Sequence, residues 1–179
     1  MAIIPILFNT EMVQAILAGR KTQTRRLIKD IGEYFHQDGT QFRDSPIKTG
    51  DLLYVRETWV NLPVSPGGHT RLMRGMYYYK ADVPDRRPDG WRGNWKPSIH
   101  MPKEAARIFL RVQDVRAERL KSITPFDAMD EGFTDWNDLQ RGWESTIRKA
   151  DIPRYGWFAN PWVWRIVFER AEKPEGWEA

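Results

Sequence analysis

Directly after Gly19 the chain reads Arg20-Lys21-Thr22-Gln23-Thr24-Arg25-Arg26-Leu27-Ile28-Lys29, with five cations and no acid. Hydroxyls beside a lysine and guanidinium forks suit anionic or carbonyl groups better than a buried core. Attack on a carbonyl needs a nucleophile, a base to take its proton, and a group that polarises the carbonyl or protonates the leaving group. Thr24 has the hydroxyl for the first role. Lys21 can fill the second if its ordinary pKa of ~10.4 is lowered, and burial or the nearby Arg20, Arg25 and Arg26 would act that way. In a regular strand Lys21 and Thr24 point to opposite faces, so their cooperation requires a turn or bulge around Thr22-Gln23. Plainer readings stand beside these. A charge run is usually a solvated face, which describes Arg20, Arg25 and Lys29 best. Thr24 would simply bond backbone, and Arg26 would either bind phosphate or hold the segment through a carboxylate.

Other residues of chemical interest lie further along. Glu57, between Arg56 and Trp59, reads as a second carboxylate in a cleft or as an ion-pair partner of Arg26. Tyr54, Trp59, Tyr78 and Trp95 are aromatic platforms on which a base could stack, or ordinary packing residues. His100 between apolar neighbours is more often structural than a proton shuttle. There are no cysteines, and the three histidines fall in no metal-binding spacing, so neither a metal nor a cofactor is expected.

The elements that must position these residues are legible in outline. Ile3 to Phe8 predicts a strand, and Thr10 caps a helix with Met12, Val13, Ile16 and Leu17 at helical spacing and Gly19 as its stop. The basic segment then continues extended. Lys48-Thr49-Gly50-Asp51 is a turn into the strand Leu52 to Val55. Residues 61–100, rich in Pro, Gly, Arg and Trp, read as a long insertion with one strand pairing around Tyr77-Tyr78-Tyr79. A strand starts at Ile108 and runs toward Leu120. Thr124-Pro125 with Asp127 opens a helix that Gly132 ends, and Trp136, Leu139, Trp143 and Ile147 form the core stripe of another. Trp162 to Phe168 is a closing strand, apolar on both faces and therefore central or barrel-forming.

These motifs resemble the ASCH family, a branch of the PUA-like superfamily of small RNA-associated barrels. Gly19, Lys21 and Arg26 fall on its Gly-x-Lys-x-x-x-x-Arg signature, and the Lys48-Thr49-Gly50-Asp51 turn and a final strand ending Ile166-Val167-Phe168-Glu169 are also similar. Val55-Arg56-Glu57-Thr58-Trp59, the segment Trp95 to Pro102, and Asn160-Pro161-Trp162 resemble larger phage and prophage members. Compact members include an amidohydrolase that removes acetyl from N4-acetylcytidine with a Lys, a Thr and a Glu. The resemblance puts Lys21 and Thr24 on two of those positions and Glu131 on the third, with Asp127 or Asp130 as the alternatives in a neighbouring register. The insertion has no counterpart in the compact enzymes, and Arg25 replaces an apolar residue.

The expectation is one α+β, mainly β domain over residues 1–171: a PUA-like small β-barrel of about six strands with three peripheral helices, the insertion at 61–100, and a loose tail at 172–179. It would bind RNA or a modified nucleoside, with Lys21, Thr24 and Glu131 as catalytic residues and Arg25, Arg26, Glu57, Tyr54 and Trp59 as binding residues. A non-catalytic RNA-binding module and a ribonuclease are the alternatives. The mild net charge of +4 fits a local rather than a general basic surface. The apolar start at residues 1–8 contains a proline and lacks a basic leader, so neither a signal peptide nor a membrane span is expected, and the cytoplasm is the expected location.

Overall fold

The computed structural model describes residues 1–29, 34, 44–64, 73–83, 91 and 93–177, with backbone only at 63–64 and 73–76. Strand β1 (Ile3–Leu7) leads into helix α1 (Thr10–Leu17). The cap is Asn9, whose side chain accepts the Met12 N–H at 2.8 Å, so Thr10 is the first helical residue rather than the cap. Gly19 adopts φ 71°, in the left-handed region, and the N–H groups of Arg20 and Lys21 return to the Ala15 carbonyl at 2.9 and 3.1 Å. The basic segment therefore leaves the helix in a fixed direction.

Strands β2 (Gln23–Leu27), β3 (Leu52–Arg56), β4 (Trp59–Val64), β5 (Met73–Tyr79) and β6 (Phe109–Arg119) follow. Helices α2 (Pro125–Asp130), α3 (Trp136–Thr146) and α4 (Ile152–Tyr155) precede the last strand, β7 (Trp162–Ala171). Five strands form one mixed sheet in the order β1-β3-β6-β7-β2, with β1 parallel to β3 and the other pairs antiparallel. As expected from its two apolar faces, β7 is interior to the sheet. The strand around Tyr77 to Tyr79 is β5, and its partner β4 starts at Trp59, so the inserted segment makes a two-stranded sheet of its own. Residues 65–72, 84–90 and 92 of that segment lie outside the described residues.

The expected barrel is corrected here: among the described residues no closed barrel forms. Consecutive strands β1 and β2 occupy opposite edges of the five-stranded sheet, and α1 fills the space between them with Val13 and Ile16, packed in one cluster with Ile6, Val55, Leu110, Trp164 and Phe168. A side chain bridges the edges instead of a backbone ladder. The Arg26 guanidinium in β2 donates to the Leu7 carbonyl in β1 at 3.0 Å.

Two further apolar clusters flank this core. Leu120, Ile123, Leu139, Trp143, Trp157 and Val163 join α2 and α3 to β7. Leu52, Trp59, Met101 and Phe109 pack beneath the β4–β5 pair, and Trp177 completes this cluster. Trp177 is buried against the Phe109 and Tyr54 rings, and its indole N–H donates to the Lys103 carbonyl at 3.2 Å. The segment read from sequence as a loose tail thus holds a core residue, because an indole buries a large apolar area wherever the chain can reach a pocket. Among the described residues, no helix is long and apolar enough to cross a membrane.

Candidate functional site

The site forms where the start of β2 meets the end of α2. In β2, Thr24 and Arg26 stand opposite Ile166 and Trp164 of β7, on the face packed with α1. Gln23 and Arg25 take the other face, toward α2. Helix α2 has a complete capping box: Thr124 accepts the Asp127 N–H, and the Asp127 carboxylate accepts the Thr124 N–H at 2.8 Å. Gly132, at φ 85°, ends it. A Cβ there would lie 2.8 Å from the Ala15 Cβ and 3.3 Å from the Lys21 Cβ, so glycine lets this helix end seat against α1 and Lys21. Lys21 and Glu131 form an antiparallel bridge, and the Thr22 N–H donates to the Asp130 carbonyl at 2.8 Å. Because β2 starts only at Gln23, Lys21 is free of strand alternation. Lys21 and Thr24 therefore line one cleft.

Lys21 is buried, with 4 % of its surface exposed. Its ammonium donates to the Glu131 backbone carbonyl at 2.7 Å, lies 3.7 Å from the Glu131 Oε2, and sits 5.4 Å from the centre of the Phe8 ring. Burial lowers its pKa to about 8, assisted by the charges of Arg26 and Arg25 and opposed by Glu131. Near pH 7.5 such a group is neutral roughly a quarter of the time, whereas an ordinary lysine is neutral roughly once in a thousand. Thr24 is also buried. Its hydroxyl accepts from Arg26 Nη1 at 2.7 Å, and the Arg26 guanidinium lies 4.9 Å from the centre of the same Phe8 ring. A cation in this position stabilises negative charge developing on the Thr24 oxygen.

Arg25 is buried rather than solvated. Its Nη1 contacts Glu131 Oε1 at 2.7 Å, its Nε donates to Glu118 Oε1 at 2.7 Å, and Asp127 Oδ2 lies 3.7 Å from Nη2. Cross-strand pairing aligns Arg25, Arg165 and Arg116 in a row over β2, β7 and β6. Like charges directly opposite one another are unfavourable unless acids intervene. Here Glu118 contacts Arg25 and Arg116, and Asp127 contacts Arg165 at 3.2 Å and accepts from Gln23 at 2.9 Å. Burial alone would raise the Asp127 pKa. The bonds from Gln23 and Thr124 and the Arg25 charge outweigh it and hold this carboxyl well below the usual carboxylate range. For Arg25 too, burial would weaken the hold on the proton, but Glu131 and Glu118 strengthen it overall.

Lys21, Thr24, Arg25, Arg26 and Glu131 share a cleft of about 580 Å³. Phe8 and Met12 line one side, and Phe133, Leu139 and Trp143 contribute an apolar wall from the α3 region. This is the size of a small-molecule site, with an apolar wall and many charged groups around it. The other sequence candidates lie elsewhere. Glu57 is buried in a two-pronged pair with Arg107, at 2.9 and 3.1 Å, and Arg107 also grips Asp82. Burial raises the Glu57 pKa, and Arg107 opposes that shift. Tyr54 and Trp59 belong to the cluster around Trp177, Tyr78 lies in the β4–β5 pair, Trp95 packs on Trp91, and His100 is exposed. Arg20 is exposed too, whereas exposed Lys29 reaches the cleft lining.

Sequence reasoning missed Phe8, Gln23, Glu118, Arg165 and the α3 wall as parts of the site. Phe8 carried a weak signal, as a buried aromatic at the strand end beside the helix cap. Glu118 and Arg165 carried none, since only strand register brings them to Arg25.

No family model and no curated protein sequence matches the chain. Solved structures similar to it include two bacterial proteins. One is a protein of Enterococcus faecalis described as family-model DUF984, at 11% identity and TM-score 0.49, covering 96% of this chain and 76% of the other. The other is an ASCH domain from Lactobacillus crispatus, at 13% identity and TM-score 0.46, covering 94% of this chain and 79% of that one.

Proposed function

We propose that the cleft binds a modified nucleoside, free or in RNA, and hydrolyses an N-acyl amide of the N4-acetylcytidine type. The observation that carries this reading is the convergence on one cleft of a buried lysine with its pKa near 8, a buried threonine hydroxyl held by a guanidinium, and a carboxylate. Neutral Lys21 takes the Thr24 hydroxyl proton as Oγ1 bonds to the acyl carbon, and Arg26 stabilises the charge that develops. The carbon–nitrogen bond breaks, and the leaving amine receives the proton from the Lys21 ammonium, whose position Glu131 fixes. Water then attacks the threonine ester, with Lys21 as base, and releases the acid. The apolar wall accepts the flat face of a base.

The test is release of acetate from N4-acetylcytidine. Lys21→Ala and Thr24→Ala should each lose at least about 100-fold in turnover, and unchanged turnover in both would refute the assignment. Binding without turnover is the second reading. It is favoured by the exposed cations Lys29, Arg141 and Arg148 in the cleft lining, which suit a phosphate backbone. In that case RNA affinity would weaken with salt, with a shallower slope in Lys29→Ala and no product released.

A further inference from the structure

We infer that Arg25 is a positioning residue that draws the Glu131 carboxylate away from Lys21 and so leaves the lysine able to release its proton. The inference takes its purpose from the role of Lys21 as a base, but its geometry stands apart from any turnover. A lysine and a glutamate buried side by side ordinarily close to a charge-assisted bond of about 2.7–2.9 Å. Here the ammonium bonds to the neutral Glu131 carbonyl at 2.7 Å, while the nearer carboxylate oxygen stays at 3.7 Å. That carboxylate is taken from the other side. Arg25 Nη1 holds Oε1 at 2.7 Å, and the Arg25 backbone N–H approaches Oε2 at 3.4 Å.

Arg25 is itself held in place. Glu118 grips its Nε and Nη2 at 2.7 and 2.6 Å, Asp127 lies beyond at 3.7 Å, and Asp127 is tied to Gln23, Arg165 and the α2 cap. The charged groups that influence Lys21 are Glu131 from the end of α2 and Arg25 and Arg26 from β2, and the Phe8 ring covers it from the end of β1. Without Arg25, Glu131 is the only acid in this set, and closing 3.7 Å to a direct pair strengthens proton binding about tenfold at an effective dielectric near 20.

The test follows the Lys21 side-chain carbon resonance of lysine-labelled protein from about pH 6 to about pH 11, assigned by its loss in Lys21→Met. In Arg25→Met the Lys21 midpoint should rise by at least about one pH unit, and adding Glu131→Gln should abolish that rise. Glu131→Gln alone should move the midpoint much less than it does beside Arg25→Met, because Arg25 already occupies the carboxylate. An unmoved midpoint in Arg25→Met overturns the inference. So does a rise that survives Glu131→Gln, because it would reflect only the lost arginine charge. If the acids left without Arg25 unfold the single variant, Arg25→Met/Glu118→Gln makes the same comparison with one fewer buried charge. A protein that fails to hydrolyse acetylcytidine yet shows this coupling refutes the proposed reaction and keeps the inference.

Discussion

Replacing Lys21 with methionine removes a buried ammonium while keeping most of the volume of its stem. The unfolded chain gives up the Lys21 proton near 10.5, and the folded protein gives it up near 8. Between these values the unfolded state binds more protons, so the stability contribution of this residue rises with pH. At about 1.4 kcal/mol per tenfold change in proton affinity, the full rise is about 3 kcal/mol. Below pH 8 the folded protein must carry the charge and bears the whole cost. Above 10.5 both states are neutral and the cost is gone. The stability of wild type minus that of Lys21→Met should therefore increase by about 3 kcal/mol from pH 7 to pH 11, while titrations common to both proteins cancel. Urea unfolding followed by tryptophan fluorescence at stepped pH measures this difference directly. Glu131 keeps its Arg25 partner in the variant, so the variant remains folded at pH 7. A difference that stays flat across this range, or that falls as pH rises, would refute a lysine with lowered proton affinity and the base role built on it.

Gly132→Ala forces a side chain into the left-handed region and against the Ala15 and Lys21 side chains. It should cost about 1–3 kcal/mol in chemical denaturation and lower turnover by shifting Lys21. Asp127→Asn removes a carboxylate whose pKa is depressed in the folded state. Wild-type stability drawn from this group is complete above the ordinary carboxylate pKa and is lost as pH falls below it, so melting temperatures of the variant should decline less between about pH 4 and about pH 2. Trp177→Ala should cost about 3–5 kcal/mol, as expected for a buried aromatic, and a melting temperature equal to wild type would show that the C-terminal segment is not part of the core.

Local signals in the sequence were sufficient where the structure is local. Gly19 ends α1 because only a residue tolerant of positive φ can reverse the chain there, and Thr124-Pro125 with Asp127 forms the cap its spacing predicts. The same signals bring Lys21 and Thr24 out of α1 in a defined direction. What they could not give was the partner of each charge. Arg25 resembled a solvated cation because its acids, Glu118 and Glu131, are about a hundred residues away in β6 and at the end of α2, and only the β2–β7–β6 register delivers them. Glu57 resembled a cleft carboxylate for the same reason, with Arg107 concealed beyond the inserted segment. The open sheet was hidden too, since strand count and apolar faces do not say whether the edge strands pair or are bridged by a helix and an arginine.

The row of arginines and acids behind β2 also separates two kinds of charge by their response to ionic strength. Mobile ions screen the attraction between exposed cations and an anionic ligand beyond a Debye length of about 8 Å at physiological salt, but they act far less on buried charges in contact. Arg20, Lys29, Arg141 and Arg148 are exposed, whereas Lys21, Arg25 and Glu131 are buried. If the cleft takes RNA as proposed, added salt should weaken that binding while leaving the proton equilibrium of Lys21 intact. Recruitment of a charged ligand and the proposed chemistry at the lysine would then be separable in one unmodified protein.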